Sequence, residues 1–239
     1  MTSVDLICLA NSKKLGRWCV AGWRTDGGGW IRPVANTEHG ELYPGIMKLS
    51  DGSQPRTLDL LRIPLKEPRP LKSQPENWLV STEPWSLLAR PAPEAMIDEL
   101  DVAPKRGPDL LGSDRDSVPE SYFNKHPKAP SLALVAPTSL RWRVTKDFSD
   151  KRQLRAGFSL RNAEYDLGVT DVEYEKQTRR LDFGTHPFTP ASRIRLTISL
   201  SRPFNGNCYK LVAGIIAIET SRVESLKTDA RPPRASRRR

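Results

Sequence analysis

Basic and aromatic side chains are mixed near the start of the chain, a combination that suits binding to single-stranded nucleic acid. In such sites the cations follow the phosphates and the indole faces stack on bases. Successive strand residues point to opposite faces, so Trp18 and Trp23 of one predicted strand cannot stack on the same ligand. At least two tryptophans of this stretch are therefore expected to fill a core. The candidate contacts here are Lys13, Lys14, Arg17, Trp30 and Arg32.

A second candidate set occupies predicted strand ends and loops, where ligand contacts are often held by a rigid scaffold. A guanidinium can hold a phosphate or a base edge through its planar fork, and an amide offers both a donor and an acceptor. The same residue types also cap turns, and Arg32 could instead pair with Asp171 across a domain join. Ligand binding and local structure both stay open for this set, which consists of Asn11, Arg32, Asn77, Trp78 and Asp171.

Two predicted strands in the second half carry arginines on one face. Arg141 and Arg143 alternate along one strand, and Arg193 and Arg195 alternate along a later one. Such stripes on an outer barrel wall could meet phosphates. An ordinary solvated strand face has the same pattern, so both interpretations stay open here as well.

The sequence lacks recognisable catalytic and metal-binding patterns. It contains no G-x-S-x-G, no Walker P-loop and no H-E-x-x-H. The three glycines at 27–29 precede a predicted strand, whereas phosphate-cradling loops open a helix. Three cysteines and three histidines, far apart and without a C-x-x-C pair, do not indicate a zinc site. We expect no cofactor and no metal and favour a non-catalytic protein, with a cryptic site left open.

Charge is concentrated at the end of the chain. The net charge is +10, and residues 222–239 hold seven Lys/Arg against two Asp/Glu, which gives that segment +5. Its Pro/Arg-rich sequence predicts a disordered basic tail that suits phosphate backbones, improves solubility or docks a partner. No apolar run approaches the ~20 residues that span a bilayer, and the N-terminus lacks a signal-peptide pattern. These features predict a cytoplasmic protein without a membrane partner.

Short strands separated by turns account for most of the chain. We predict strands at 4–10, 17–23, 30–34, 58–65, 77–80, 131–135, 140–144, 154–160, 164–169, 193–200 and 209–218, a turn at 11–16, and short helices near 94–100, 120–123 and 172–181. The fold class is all-β with minor helices, arranged as two tandem OB-like small β-barrels. The predicted parts are a first barrel at 1–100, a Pro/Gly-rich connection at 101–130, a second barrel at 131–221 and the tail at 222–239. SH3-like barrels or a single sandwich fit the strand count nearly as well.

Several strings resemble, in order, the dual OB-fold domain family of prokaryotic conflict systems. They are LICLANSKKLGRWCVAG, GWIRPV, DGSQPRTLDLLRIPL, QPENWLV, AEYDLGVTD and CYKLVAGII, and they extend from about residue 4 to 218. The resemblance implies two tandem OB-like barrels and a nucleic-acid-binding role, and it carries over no catalytic residues. Residues 101–130 and the basic tail have no counterpart in these strings.

The favoured hypothesis is a nucleic-acid-binding module that serves as a sensor or targeting subunit in a bacterial or phage conflict system. DNA and RNA are both open, single strands are favoured, and a protein partner is a further expectation. One alternative is a receptor for a nucleotide or modified base, with its pocket between the two barrels. The other is a protein-interaction scaffold.

Overall fold

The computed structural model describes residues 2–14, 16–96, 100, 109–188 and 192–219, so the predicted tail at 222–239 lies outside it. Strands make up most of the described chain, with three short α-helices between them. The prediction of an all-β fold with minor helices, built as two OB-like units, is confirmed. The predicted domain limits stay a prediction.

The first unit is a closed five-stranded barrel. It contains β1 (Thr2–Lys14), β2 (Arg17–Arg24), β3 (Trp30–Val34), β4 (Leu60–Pro68) and β5 (Asn77–Val80), with α1 (Pro44–Met47) between β3 and β4 and with β6 (Ser86–Ala89) added beside β4. The order is β1-β2-β3-β5-β4, and β1 closes the barrel by pairing with β4. A bulge between Cys8 and Ala10 bends β1, so its start pairs with β4 and its end pairs with β2.

The end of β1 corrects one prediction. Residues 11–14 were predicted as part of a turn, but Asn11 pairs with Val20 and Lys14 pairs with Arg17. Strand β1 therefore continues to Lys14, and β2 begins at Arg17. The polar sequence N-S-K-K belongs to a strand because β2 supplies partners for its backbone groups.

The second unit has the same strand order as the first. It contains β7 (Ser117–Pro119), α2 (Tyr122–Lys125), β8 (Leu132–Val135), β9 (Ser139–Lys146), β10 (Arg152–Leu160), β11 (Ala163–Val169), α3 (Val172–Gln177), β12 (Gly184–Pro187), β13 (Ser192–Leu200) and β14 (Asn207–Glu219). Its path is β9-β10-β11-β14-β13-β8, with β11 parallel to β14, as β3 is parallel to β5 in the first barrel. In the first barrel β1 alone pairs with the two strands on either side of it, β2 and β4. In the second barrel two strands share this position, because β8 pairs with β13 and β9 pairs with β10.

Three strands were not predicted: β6, β7 and β12 are only three or four residues long. The helix predicted at 94–100 is a 3₁₀ turn at Pro93–Met96, and residues 97–99 lie outside the described residues. Helix α3 ends at Gln177 and is shorter than the prediction of 172–181. Each barrel has its own apolar core, centred on residues such as Leu6 and Trp85 in the first and Phe158 and Leu196 in the second.

The two barrels meet where β1 crosses β14. Gly214 of β14 lies against the backbone of β1, where an added Cβ would be only 2.1 Å from the Leu9 carbonyl oxygen. That same oxygen accepts a hydrogen bond from Thr197 Oγ1 at 2.5 Å, and Lys13 N donates to Thr170 O at 2.9 Å. A buried apolar cluster that includes Ile7 of β1 and residues of β8 and β14 completes the contact. None of the helices described is both long and apolar enough to cross a bilayer.

Candidate functional site

Three cavities of the described chain have walls from both barrels. The Arg32 cavity, of about 480 Å³, is lined by residues of β1–β3, the β9–β10 turn and the segment around β13 and β14. The Asp171 cavity, of about 730 Å³, lies between the end of β1, residues 54–57 and the start of α3. The tryptophan cavity, of about 650 Å³, lies between the β2–β3 hairpin, β5, α2 and β8. Six of the eleven sequence-predicted residues line these cavities, namely Asn11, Lys13, Trp30, Arg32, Trp78 and Asp171.

Arg32 is buried although it stands on the outer side of its barrel. Its neighbour Ile31 points into the first core, so alternation turns Arg32 outward toward the second barrel. Only 6% of Arg32 is exposed. Its Nη2 donates to Ser199 Oγ of β13 at 3.1 Å, so a side chain of the first barrel is held by the second.

The Arg32 guanidinium is poorly compensated. Its Nη1 is shielded from solvent and has no hydrogen-bond partner, and no described carboxylate forms an ion pair with this side chain. The largest opposing charge is that of Glu76, whose two carboxylate oxygens accept hydrogen bonds from Ser131, each at 2.7 Å. Burial lowers the pKa of Arg32, and the charge of Glu76 opposes that shift. The result is a desolvated cation that forms no direct ion pair with the residues described.

Aromatic rings and further cations surround the mouth of the Arg32 cavity. Phe148 is 95% exposed and Phe204 is 59% exposed, which is unusual for phenylalanine, and both line this cavity. Phe148 projects from the β9–β10 turn, which Asp147 holds by accepting backbone hydrogen bonds from residues 149 and 151. Lys13 and Arg202 also line the cavity. An anion in the cavity and a planar ring at its mouth would both find matching groups.

Asp171 has a structural role in its own cavity. It is the N-cap of α3, where Oδ1 accepts from Glu173 N and Tyr174 N at 2.9 Å, and its Oδ2 accepts from Ile215 N at 2.9 Å. Burial raises the pKa of Asp171 to about 6, against the opposing effect of these three hydrogen bonds. The pairing of Arg32 with Asp171 that the sequence left open is wrong, because the two side chains have these other partners.

The remaining candidates of the second set have mixed surroundings. Asn11 donates to Pro55 O at 2.8 Å and lines the Asp171 cavity, while its buried Oδ1 has no partner among the described residues. Asn77 pairs with Arg32 in the β3–β5 register and donates to Gln74 Oε1 at 3.4 Å. Trp30 and Trp78 both line the tryptophan cavity. The structure therefore brings Asn11 and Asp171 to one cavity and the two tryptophans to another, with Arg32 in the third.

The basic residues on strand faces have acidic neighbours. Arg143 forms an ion pair with Asp166, Arg141 lies 3.8 Å from Glu164, and Arg17 lies 3.9 Å from Glu41. Binding by these arginines stays a prediction, as does binding by Lys14, whose side chain lies outside the described residues.

In the second arginine stripe Arg193 is exposed, but the prediction of an outer wall is wrong for Arg195. Arg195 and Thr197 are buried, since this face of β13 is covered by the first barrel. Sequence reasoning also missed Phe148, Phe204 and Arg202. The signal for Phe148 was a phenylalanine inside the polar turn sequence D-F-S-D, where no core is available to bury it.

Comparisons with known proteins give distant structural likenesses and one family. A structure of a murine DNA-binding protein bound with double-stranded DNA has 9% identity and a TM-score of 0.31, over 92% of this chain and 100% of that one. The HINb domain of p204 has 10% identity and a TM-score of 0.33, over 88% of this chain and 96% of that one. No curated protein matches the sequence. The family of the dual OB-containing domain matches residues 4–215, which hold both barrels, and the chain belongs to that family.

Proposed function

We propose that this chain is a non-catalytic nucleic-acid-binding module that holds a single strand of DNA or RNA at the Arg32 cavity. The observation that carries the proposal is the buried Arg32 guanidinium, which forms no direct ion pair with the described residues, leaves Nη1 without a partner among them, and lines a cavity with exposed phenylalanines. A phosphate supplies the missing negative charge and an acceptor for Nη1. Hydrogen bonds between charged groups are the strong ones, and the planar fork of arginine suits phosphate oxygens.

The groups around the cavity support a strand more than an isolated anion. Lys13 and Arg202 stand where neighbouring phosphates would pass, and Phe148 and Phe204 offer ring faces to unpaired bases. Base–aromatic stacking contributes about 1–3 kcal/mol per base. Paired bases keep their faces inside the duplex, so this contact favours single strands.

The wider role follows from the family resemblance and from charge. We infer that the protein acts in the cytoplasm as a sensor or targeting subunit of a bacterial or phage conflict system. The tail at 222–239 holds seven Lys/Arg and adds affinity for phosphate without sequence preference.

The test is fluorescence anisotropy with labelled single-stranded DNA, duplex DNA and single-stranded RNA, at about 50 and about 200 mM salt. Phe148→Ala should weaken binding of single strands by about 5- to 150-fold, the range expected for one stacked base. Phe183→Ala is the matched control, because Phe183 is 60% exposed and lines none of the three cavities. Arg32→Lys keeps the charge but loses the fork and should also weaken binding. Equal affinities for wild type, Phe148→Ala and Arg32→Lys would show that the strand does not bind at this cavity.

The size of the Arg32 cavity supports a second candidate, a receptor for a nucleotide or modified base. Its volume of about 480 Å³ falls in the range of small-molecule sites. A thermal-shift screen with mononucleotides tests this, since a ligand that binds only the folded state raises its stability. Mononucleotides that raise the melting temperature without displacing a labelled strand would favour the receptor over the strand-binding module. Stable capture of a protein partner without nucleic acid would instead favour a scaffold.

A further inference from the structure

The tryptophan cavity concentrates aromatic side chains that come from four separate segments. Trp23 is the penultimate residue of β2, Trp30 begins β3, Trp78 lies in β5, and Tyr122 begins α2. Each of the four is only partly buried, so each leaves some ring surface uncovered. The opposite wall is formed by Leu132 and Ala133 of β8 and by residues 128–130, so the cavity needs both barrels.

The indole rings are held in place from behind. Trp23 and Trp30 pack against the apolar cluster between the barrels, and Trp78 packs against the core of the first barrel. Trp23 and Trp30 also contact each other edge to face, with centroids 5.7 Å apart and planes at 89°. Their perpendicular planes form a corner, in which a flat ring can lie on one indole while its edge meets the other. Rings fixed in this way lose little conformational entropy when a ligand binds.

The glycine-rich turn between β2 and β3 lines one side of the cavity, where Gly28 and Gly29 place no side chains. A Cβ at Gly28 would lie 2.5 Å from Arg24 Nε, so glycine is needed for Arg24 to fold over this turn. Arg24 is held there by Asp26, whose Oδ1 also accepts from Gly28 N at 2.9 Å. Lys128 lines the cavity from the second barrel and has no ion-pair partner among the described residues. The cavity thus combines ring walls with the cations Arg24 and Lys128, and the carboxylates Glu76 and Asp109 also line it.

We propose that the tryptophan cavity binds the base of a nucleotide, with the ring against the indoles and the phosphate near Lys128. An aliphatic ligand would gain only apolar contact area in this cavity. A flat heteroaromatic ring would gain the same contact area and also stacking and edge contacts with the two perpendicular indoles. The base belongs either to a free nucleotide or to a strand. This site is separate from the Arg32 cavity and does not depend on a strand being held there.

The test uses full-length protein labelled with 5-fluorotryptophan and observed by ¹⁹F NMR. The chain has six tryptophans, and single Trp→Phe variants assign their signals. Titration with nucleoside monophosphates should shift the signals of Trp23, Trp30 and Trp78 together and saturably. Trp85 and Trp142 are buried within the separate barrel cores and serve as internal controls, and Trp18 reports on the Asp171 cavity.

Ribose 5-phosphate is the control ligand because it has the phosphate but no ring. If it shifts the three signals as much as a nucleotide does, or if neither mononucleotides nor oligonucleotides shift them, the proposal is wrong. It is equally wrong if only a proline-rich peptide shifts them, because the cavity would then dock protein. Oligonucleotides that shift these signals where mononucleotides do not would assign the base to a strand, which supports the proposal.

Two variants separate this site from the proposed function. Lys128 is exposed, so Lys128→Ala should fold normally. This variant should bind nucleoside monophosphates more weakly and should bind nucleosides with unchanged affinity. Trp30→Leu removes a ring but keeps an apolar side chain, and it should lower the affinity for nucleosides by at least about fivefold. Phe148→Ala should leave the nucleotide-induced shifts of the three tryptophans unchanged. Loss of strand binding in Phe148→Ala with these shifts intact confirms two sites, whereas nucleotide affinity unaffected by both Lys128→Ala and Trp30→Leu overturns the tryptophan site.

Discussion

Arg32 and Lys210 are two buried cations whose replacement by methionine should change stability by different amounts. Lys210 is 2% exposed, and its ammonium donates to Ser113 O, Ser113 Oγ and Arg115 O at 2.5–2.9 Å. Arg32 is 6% exposed, and within the described residues its side chain has one hydrogen bond, to Ser199, while its Nη1 has no partner there. Methionine is unbranched and flexible enough to fill either space.

The expected magnitudes follow from these partners. Arg32→Met removes an unsatisfied buried donor that costs about 1–3 kcal/mol and loses one hydrogen bond from a charged group, worth about 1.5–3 kcal/mol. The two effects nearly cancel, so the free energy of unfolding should change by less than about 1.5 kcal/mol. Lys210→Met removes three hydrogen bonds from a charged donor, including those to two carbonyl oxygens, and should cost at least about 2 kcal/mol.

Urea denaturation followed by far-UV circular dichroism measures both variants, with equal m-values as the check that the same surface unfolds. Added inorganic phosphate should stabilise the wild type and have less effect on Arg32→Met, because only the folded wild type offers the buried guanidinium. A loss above about 3 kcal/mol for Arg32→Met, equal to that for Lys210→Met, would refute the reasoning. The guanidinium would then be satisfied within the protein, and a ligand would not be needed to explain it.

Three further predictions concern the junction. Asp171→Ala removes the cap of α3 and leaves Ile215 N without an acceptor, so it should lower the free energy of unfolding by about 2–4 kcal/mol in urea denaturation. The raised pKa of Asp171, about 6, means that the folded protein keeps this proton to higher pH than the unfolded chain. Stability from this residue should therefore fall as the pH rises from about 4 to about 6, and a flat difference between wild type and Asp171→Asn would contradict this. Gly214→Ala should lower the melting temperature strongly because its Cβ would meet the Leu9 carbonyl, whereas Gly45→Ala, which has open space, should not.

Local sequence patterns were sufficient to predict most of the fold. The alternation in R-I-R-L-T-I-S-L and the apolar run that ends the second barrel predicted β13 and β14 to within two residues at each end. They failed where the signal was short or came from a distant partner. Strand β12 has only four residues and is defined by its pairing with β9, and the polar end of β1 is defined by its pairing with β2.

The sequence predicted several residues that line the cavities, but it did not predict which of them lie together in one cavity. Asn11, Arg32, Trp78 and Asp171 were chosen together, yet they line three different cavities. Grouping depends on which strand face meets the other barrel, and strand alternation alone does not give that. Arg195 shows the same limit, because its alternation fits an exposed face and the first barrel buries it.

The Arg32 cavity exists only because two barrels are packed together. In a single barrel Arg32 would project from the outer face of β3 into water, where a guanidinium is well solvated and needs no counter-ion. Ser199, which holds it, is 167 residues away in the sequence and belongs to the second barrel. Packing the second barrel over β3 removes the water and thereby turns a surface arginine into a group that an anion stabilises. The same packing supplies Phe204 and Arg202 to the cavity, so loosening the junction at Gly214 should weaken strand binding although Gly214 does not line the cavity.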